Sequence, residues 1–377
     1  MTGQRNIKLF IDAHCFDREH QGTRAFIKRI YYELHRIAPN IEFYFAAQDT
    51  DNIRKEFAGI KNCKFIRYRS GRSWFRLLVE VPWIIHRYKI DIAHFQYIVP
   101  FIKNCRFIVT THDVIFKQYK NEFSFFYRLS RSSLFGVSLR RSEIITTVSE
   151  YSKRTIQKHF NVSEDKLLVT SNGLNPDYSN HPGSPDSRSH VSKKYGLGNY
   201  ILYVSRFEPR KNHQILLRAY HELDLAAAGY DLVLLGHKSI RTPDFEKYLR
   251  NLPEKLRNRV FISDATNDED LYHFYKAASL FVYPSKAEGF GLPPIEAAAL
   301  QIPVVCSNLT AMSEYTFFGK NHIDPTQINL LKERITDILN SPPKREELET
   351  ISAEVRKRYD ARMAAGVLND AIQKLFR

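Results

Sequence analysis

Short apolar runs alternate with longer stretches of helical spacing, once over residues 1–180 and again from residue 199 onward. In the first half Ile7–Ile11 reads as a strand, Thr23–Ile37 as a helix and Ile41–Phe45 as the next strand. Lys64–Ile66, Ile90–Phe95, Phe107–Thr110 and Ile144–Val148 follow as strands, with helical stretches such as Phe125–Arg140 and Tyr151–His159 between them. In the second half the strands read as Tyr200–Val204, Asp231–Leu235, Val260–Ile262, Leu280–Tyr283 and Pro303–Cys306, and the helices include Asn212–Ala228 and Asp268–Ala277. Apolar strands separated by helices lie in parallel sheets covered on both faces. The fold class expected is α/β, with two doubly wound Rossmann-like domains facing each other across a cleft. Ser179–Ser192 is poor in apolar residues and rich in Ser, Pro and Gly, so it reads as a surface loop. The divisions expected are residues 1–180, a linker at 181–198, residues 199–355, and a helical segment 356–377 that has no strand after it and is free to pack back on the first domain.

Composition narrows the class. A hydrophobic content of 43% over 377 residues suits a folded globular enzyme rather than a disordered chain. No stretch approaches the roughly 20 apolar residues of a membrane span, and the first residues lack an apolar leader, so a cytoplasmic location is expected. The four cysteines show neither metal spacing nor a disulfide framework and read as reduced, mostly buried thiols. The net charge of +15 is uneven: residues 1–180 carry 29 Lys and Arg against 17 Asp and Glu, leaving about +3 for the rest. Arg67, Arg69, Arg72 and Arg76 interleave with Tyr68, Trp74 and Phe75, and a second cluster runs Phe123, Phe125, Phe126, Arg128, Arg131, Arg140 and Arg141. Such mixtures suit the headgroup layer of an anionic membrane. They also attract nucleic acid, or form a solvated basic surface with its aromatics turned inward.

The residues Tyr283–Glu296, Y-P-S-K-A-E-G-F-G-L-P-P-I-E, read as strand end, tight loop and helix start. Pro293 and Pro294 fit a first helical turn, where their missing N–H groups lose nothing, while Gly289, Phe290, Gly291 and Leu292 keep theirs. Amides at a helix N-terminus favour a phosphate. Two carboxylates, Glu288 and Glu296, frame the same loop and repel one unless cations compensate. Arg206, just past the strand Tyr200–Val204, and Lys211 at the start of the next helix are placed to hold a diphosphate. The site therefore suits a ligand anionic at one end and polyhydroxylic at the other.

S-R-F-E-P-R-K-N (205–212), L-L-G-H (234–237), and E-G-F-G-L-P-P-I-E followed by I-P-V-V (302–305) resemble the family 4 retaining glycosyltransferases of the GT-B fold, within the mannosyl- and rhamnosyltransferase-like group 1 enzymes. The likeness is densest over Tyr200–Glu314; Thr111-His112-Asp113, Val148-Ser149-Glu150 and Ser171-Asn172-Gly173-Leu174 extend it over nearly the whole chain. The resemblance implies that Glu288 sits near the donor sugar, that Glu296 binds the nucleotide ribose, that Arg206 and Lys211 bind the donor diphosphate, and that amides around Gly289–Leu292 contact the donor. It places His112 close to the hydroxyls of the transferred sugar; on its own residue type, His112 reads as a structural histidine. The family's glycine-rich turn after the first strand is here Glu19-His20-Gln21-Gly22-Thr23-Arg24, with a single glycine, and Gly22 and Thr23 are candidates to approach the donor.

Asp268-Glu269-Asp270 matches a D-x-D metal motif by letter, but acids after Asn267 suit the capped first turn of a helix. The resemblance also implies a reaction with no metal and no cofactor. The expectation is retaining transfer of a hexose from a GDP- or UDP-linked sugar to a saccharide or lipid-linked acceptor in bacterial surface polysaccharide assembly, by a cytoplasmic protein peripheral on the inner face of the plasma membrane. A GT-B nucleotide-sugar epimerase shares the architecture, though the complete E-x7-E pattern points to transfer. A nucleic-acid-binding protein would explain the charge but neither glutamate.

Overall fold

Strands at the centre of both halves carry apolar runs that are buried throughout: Leu9, Phe10 and Ile11 are fully buried, as are Leu232, Val233, Leu234 and Leu280, Phe281, Val282. Strands buried on both faces must lie between two helical layers. The computed structural model describes residues 5–17, 22–175, 178, 186–264 and 267–377. It divides into one unit of residues 1–173 with 359–377 and a second of residues 174–358.

In the first unit β1 (Ile7–Asp12), β2 (Ile41–Ala47), β3 (Cys63–Arg67), β4 (Ile92–Gln96), β5 (Arg106–Thr110), β6 (Ile144–Thr147) and β7 (Leu167–Val169) lie in the order β3-β2-β1-β4-β5-β6-β7. All pairings are parallel, so each crossover returns the chain to the same edge of the sheet. The order reverses direction between β1 and β4, the place where ligands bind in open α/β sheets. The helix Ala361–Phe376 belongs to this unit and packs on the helix Gly22–Ile37. Its approach depends on Gly173, where an added Cβ would stand 2.4 Å from Ala361 Cβ.

In the second unit β8 (Asn199–Val204), β9 (Tyr230–Leu235), β10 (Val260–Ser263), β11 (Leu280–Tyr283), β12 (Val304–Ser307) and β13 (His322–Ile323) lie in the order β10-β9-β8-β11-β12-β13, again all parallel. Here the reversal falls between β8 and β11.

Three local expectations change. Part of Ser179–Ser192 lies outside the described residues, but its last residues are not a loop: a helix spans Ser187–Tyr195, capped by Asp186, which accepts from Arg188 N–H, and closed by Gly196 at φ +70°. It forms because Val191 is buried and because Lys194 Nζ and His190 Nε2 reach Asp270 at 2.7 and 2.9 Å, contacts a composition count does not register. The helix expected over Asn212–Ala228 ends at Glu222, since Asp224 takes a left-handed φ of +48° and the chain turns. The segment 356–377 is not one helix. The helix Arg345–Arg358 stops, and Asp360 caps the next by accepting from Arg362 N–H at 2.9 Å. Asn267 likewise caps the helix Asp268–Ala277, its side chain accepting from Asp270 N–H at 2.7 Å.

Candidate functional site

Two loops leave the second unit's sheet at its reversal point, Ser205–Asn212 after β8 and Pro284–Gly291 after β11. Their backbones are laced together: Lys286 N–H donates to Arg210 O at 2.8 Å, Arg210 Nη1 to Ala287 O at 2.6 Å and Asn212 Nδ2 to Pro284 O at 3.2 Å. Gly236, after β9, permits the close packing. Its φ is +149°, and a Cβ there would stand 2.0 Å from Ser205 O.

Between the loops lies a buried ionic cluster. Glu288 accepts on Oε1 from Lys211 Nζ at 2.5 Å and the Tyr283 hydroxyl at 2.8 Å, and on Oε2 from Arg210 Nη1 at 3.3 Å. Arg210 Nη2 turns to Glu208 at 2.6 Å, and Glu208 also meets Arg206 Nη2 at 3.3 Å. Glu208, Lys211 and Glu288 are each 7% exposed, whereas the Arg206 side chain is 48% exposed. Three cations against two carboxylates leave one positive charge. Burial would raise the Glu288 carboxyl, but the charges of Lys211 and Arg210 outweigh it and hold the group down to about 2. Burial pulls Lys211 below the usual ammonium range, with Glu288 opposing. At neutral pH Glu288 is thus a fixed anion, a poor base with no proton to give.

Gly291, at φ +89°, caps the helix Leu292–Ala299, and a Cβ there would press to 3.0 Å from Met312 Cγ. The Tyr315 hydroxyl donates to Phe290 O at 2.5 Å and fixes the turn. At this N-terminus the amides of Gly291 and Leu292 have no acceptor within the helix, and Pro293 and Pro294 present none that needs one. Glu296, in the second turn, is buried and accepts from the Tyr275 hydroxyl at 3.4 Å.

In the first unit His112 follows β5 at the carboxyl end of the sheet. It is buried edge-on against Phe26, ring centroids 5.1 Å apart, and its Nε2 donates to Gln96 Oε1 at 2.7 Å. Gln96 is oriented in turn by its Nε2, which meets His94 Nε2 at 3.4 Å; His94 also contacts the Tyr31 hydroxyl at 2.5 Å and Thr110 Oγ1 at 2.6 Å. Burial lowers His112 to about 4 and His94 to about 3. Both rings are neutral at pH 7, with the Nε2 proton of His112 committed to Gln96.

Lys211, Glu288 and the Gly289–Leu292 turn therefore come together, with Glu296 on the helix that follows; Arg206 stands at the margin. Gly22 and Thr23 open the helix Gly22–Ile37 of the first unit, and Glu19–Gln21 lie outside the described residues. Sequence reasoning missed Arg210, Glu208 and Tyr283 in the cluster and Gln96 beside His112. Arg210 and Glu208 lie in the same S-R-F-E-P-R-K-N run as Lys211, so two further charges in one loop were the available signal. Gln96 gave none. Of the first basic cluster, Arg76 and Tyr68 turn inward: Tyr68 donates to Asp12 at 3.0 Å and Arg76 Nε lies 3.6 Å from it. Arg67, Arg69, Arg72 and Trp74 stay exposed, as do Phe125 and Phe126 of the second cluster.

Residues 187–355 match the family model of glycosyl transferases group 1, and residues 18–178 that of Glycosyltransferase Family 4. The chain is 36% identical to the O-antigen chain mannosyltransferase B of Escherichia coli over 214 residues, 55% of each chain. It is 26% identical to the O-antigen chain mannosyltransferase RfbU of Salmonella typhimurium, over 65% of this chain and 63% of that one. The match thus spans little more than half the length of these curated relatives. Among solved structures, Anabaena Alr3699/HepE in complex with UDP and glucose superimposes with a TM-score of 0.74 at 17% identity, covering 98% of this chain and 100% of that one.

Proposed function

Because the chain belongs to the GT-B glycosyltransferases, with a family 4 first half and a group 1 second half, we propose that it transfers a hexose from a GDP- or UDP-linked sugar to a hydroxyl, with retention and without a metal ion. The observation that carries the reading is the buried cluster around Glu288, at the carboxyl edge of a doubly wound sheet and beside a helix N-terminus. Such an edge binds nucleotides, and a surplus cation with helix amides suits a diphosphate.

Under this reading the diphosphate takes the amides of Gly289–Leu292 and the charges of Arg206, Lys211 and Arg210, while Glu296 receives the ribose. When the bond between the anomeric carbon and the phosphate oxygen breaks, negative charge grows on the leaving phosphate, where these fixed cations stabilise it. Positive charge on the sugar ring is tolerated beside the ionised Glu288. A carboxyl held at about 2 is too weak a base to take the acceptor's proton. That proton passes to the leaving phosphate as the acceptor oxygen bonds the anomeric carbon from the same face. His112, neutral and with Nε2 committed to Gln96, has Nδ1 to accept from a sugar hydroxyl.

The relatives' names, O-antigen chain mannosyltransferases, favour mannose as the sugar and a bacterial surface polysaccharide as the product, and the acceptor we assign is a lipid-linked saccharide of that polysaccharide. Such an acceptor places the protein on the cytoplasmic side, peripheral to the membrane. Among the described residues no helix is long and apolar enough to cross it. Thermal-shift measurements with UDP-, GDP-, ADP- and TDP-sugars test the reading, since a ligand that binds only the folded state raises apparent stability. The expected outcome is a shift with GDP- or UDP-sugars, an α-linked product from an α-linked donor, and turnover that survives a chelator. Glu288→Gln should bind the donor yet turn over slowly; full turnover in that variant would sink the role given to Glu288.

A further inference from the structure

The chain has two tryptophans, Trp74 and Trp83, and both are exposed, by 59% and 56%. Tryptophan is among the more buried residue types on average, so two on one surface segment call for a partner. The segment that carries them, residues 73–88, is partly inside out. A π-helical turn at Arg76–Glu80 directs its two charged residues inward: Arg76 beside Asp12, and Glu80 accepting from the backbone N–H groups of Arg69 and Ser70 at 2.6 and 3.3 Å. Leu78 and Val79 of the same turn are 40% and 47% exposed. A sequence selected only for folding would place these the other way round, and π-helical turns are frequent at functional sites.

The apolar face continues onto Phe101 and Ile102. Their loop is fastened at both ends, Asn104 Nδ2 donating to Pro82 O at 3.3 Å and Arg141 Nη2 to Phe101 O at 2.8 Å. Along the helical segment of this face the exposed charge has one sign. Between residues 67 and 89 the single acid is Glu80, which is buried, while Arg67, Arg69, Arg72, Arg87 and Lys89 are exposed.

We propose that this face of the first unit docks on an anionic lipid bilayer, with Trp74 and Trp83 at headgroup depth, Leu78, Val79, Phe101 and Ile102 against the acyl boundary, and the surrounding arginines on lipid phosphates. Tryptophan prefers that interfacial layer, and basic side chains at its rim are drawn to anionic lipid. A nucleic acid would satisfy the arginines but give four aliphatic and aromatic side chains nothing to enter. A second copy of the chain would bring two rims of like charge together. The proposal rests on the peripheral placement given above, and its test uses no sugar, so its failure leaves the transferase reading standing.

Because Trp74 and Trp83 are the chain's two tryptophans, intrinsic fluorescence reports this face alone. The full chain is titrated with vesicles containing phosphatidylglycerol and with pure phosphatidylcholine vesicles, at low and high salt. Expected are a blue shift, quenching by brominated lipid and co-sedimentation with the anionic vesicles, reversed by salt. Neutralising Arg69 and Arg72, both exposed, should weaken partitioning roughly fivefold each. Trp74→Ser with Trp83→Ser should reduce it further with an unchanged circular dichroism spectrum. Sedimentation without change in tryptophan emission, equal binding to both vesicle types, absence of binding, or a lipid-free dimer that already buries the tryptophans would each overturn the proposal.

Discussion

Replacing Glu288 with glutamine removes one charge from the cluster and keeps its shape. In the unfolded chain this carboxyl has the ordinary value of 4.5, and in the fold it is held at about 2. Between those values the unfolded state binds more protons, so the stability Glu288 contributes is present in full above pH 4.5 and is lost as pH falls toward about 2. At 1.36 kcal/mol per unit the contribution is about 3 kcal/mol at neutral pH. The contacts suggest the same size: the substituted amide keeps the bond from Tyr283 but leaves Lys211 and Arg210, at 2.5 and 3.3 Å, facing a neutral group, and breaking a buried pair costs about 3–5 kcal/mol. For a unit of this size the melting temperature should drop by roughly 6–12 °C at neutral pH. Thermal melts followed by circular dichroism, from neutral pH down to about pH 3, should show wild type and variant converging on the acid side. A gap that stays constant at every pH, or no gap at neutral pH, would refute the charge-pair account.

Three further substitutions test separate parts of the structure. Gly236→Ala forces a Cβ to within 2.0 Å of Ser205 O, so the loop bearing Arg206 must shift; a loss above ~1 kcal/mol and weaker thermal shifts with nucleotide sugars are expected. Gln96→Glu puts a carboxylate 2.7 Å from His112 Nε2 and should raise that ring from about 4. In the wild type the lowered ring gives stability that is present above 6.5 and lost as pH falls through about 4, so in the variant the ring-proton NMR titration should move upward and the stability lost to this ring on acidification should shrink, and an unmoved titration would count against the contact. Asp270→Asn loses the charge shared by Lys194 and His190, at a cost of about 1–2 kcal/mol, and hydrogen exchange should quicken in Ser187–Tyr195 before it does elsewhere in the second unit.

Strand and helix positions were legible because they depend on apolar period. Ile7–Ile11, Leu280–Tyr283 and Asp268–Ala277 need no partner to be read, since their burial pattern is local. Ser187–Tyr195 was not legible, because its stability comes from Asp270, far away in the chain. The same division runs through the site. Glu288, Lys211 and Glu296 stand in patterned runs, and the Gly289–Leu292 turn declares itself by its glycines and prolines. Arg210 lay in plain view, but which of three cations in one loop reaches Glu288 depends on the left-handed turn at Asn212 and on the lacing of two loops by Lys286 and Ala287. Gln96 sits mid-pattern in an apolar strand, and only folding brings it against His112.

The return of the last helix to the first unit has a consequence for synthesis. The first unit lacks the helix Ala361–Phe376, and the cover it gives Gly22–Ile37, until residues 361–376 leave the ribosome. Residues 174–358 emerge in between, which at about 5–20 residues per second takes roughly 10–40 s. During that interval the second unit, continuous in sequence, completes its sheet first, while the nascent first unit presents the apolar flank that Leu368 and Ile372 later fill. The first unit is begun before the second and completed after it, so this flank waits longest for its cover.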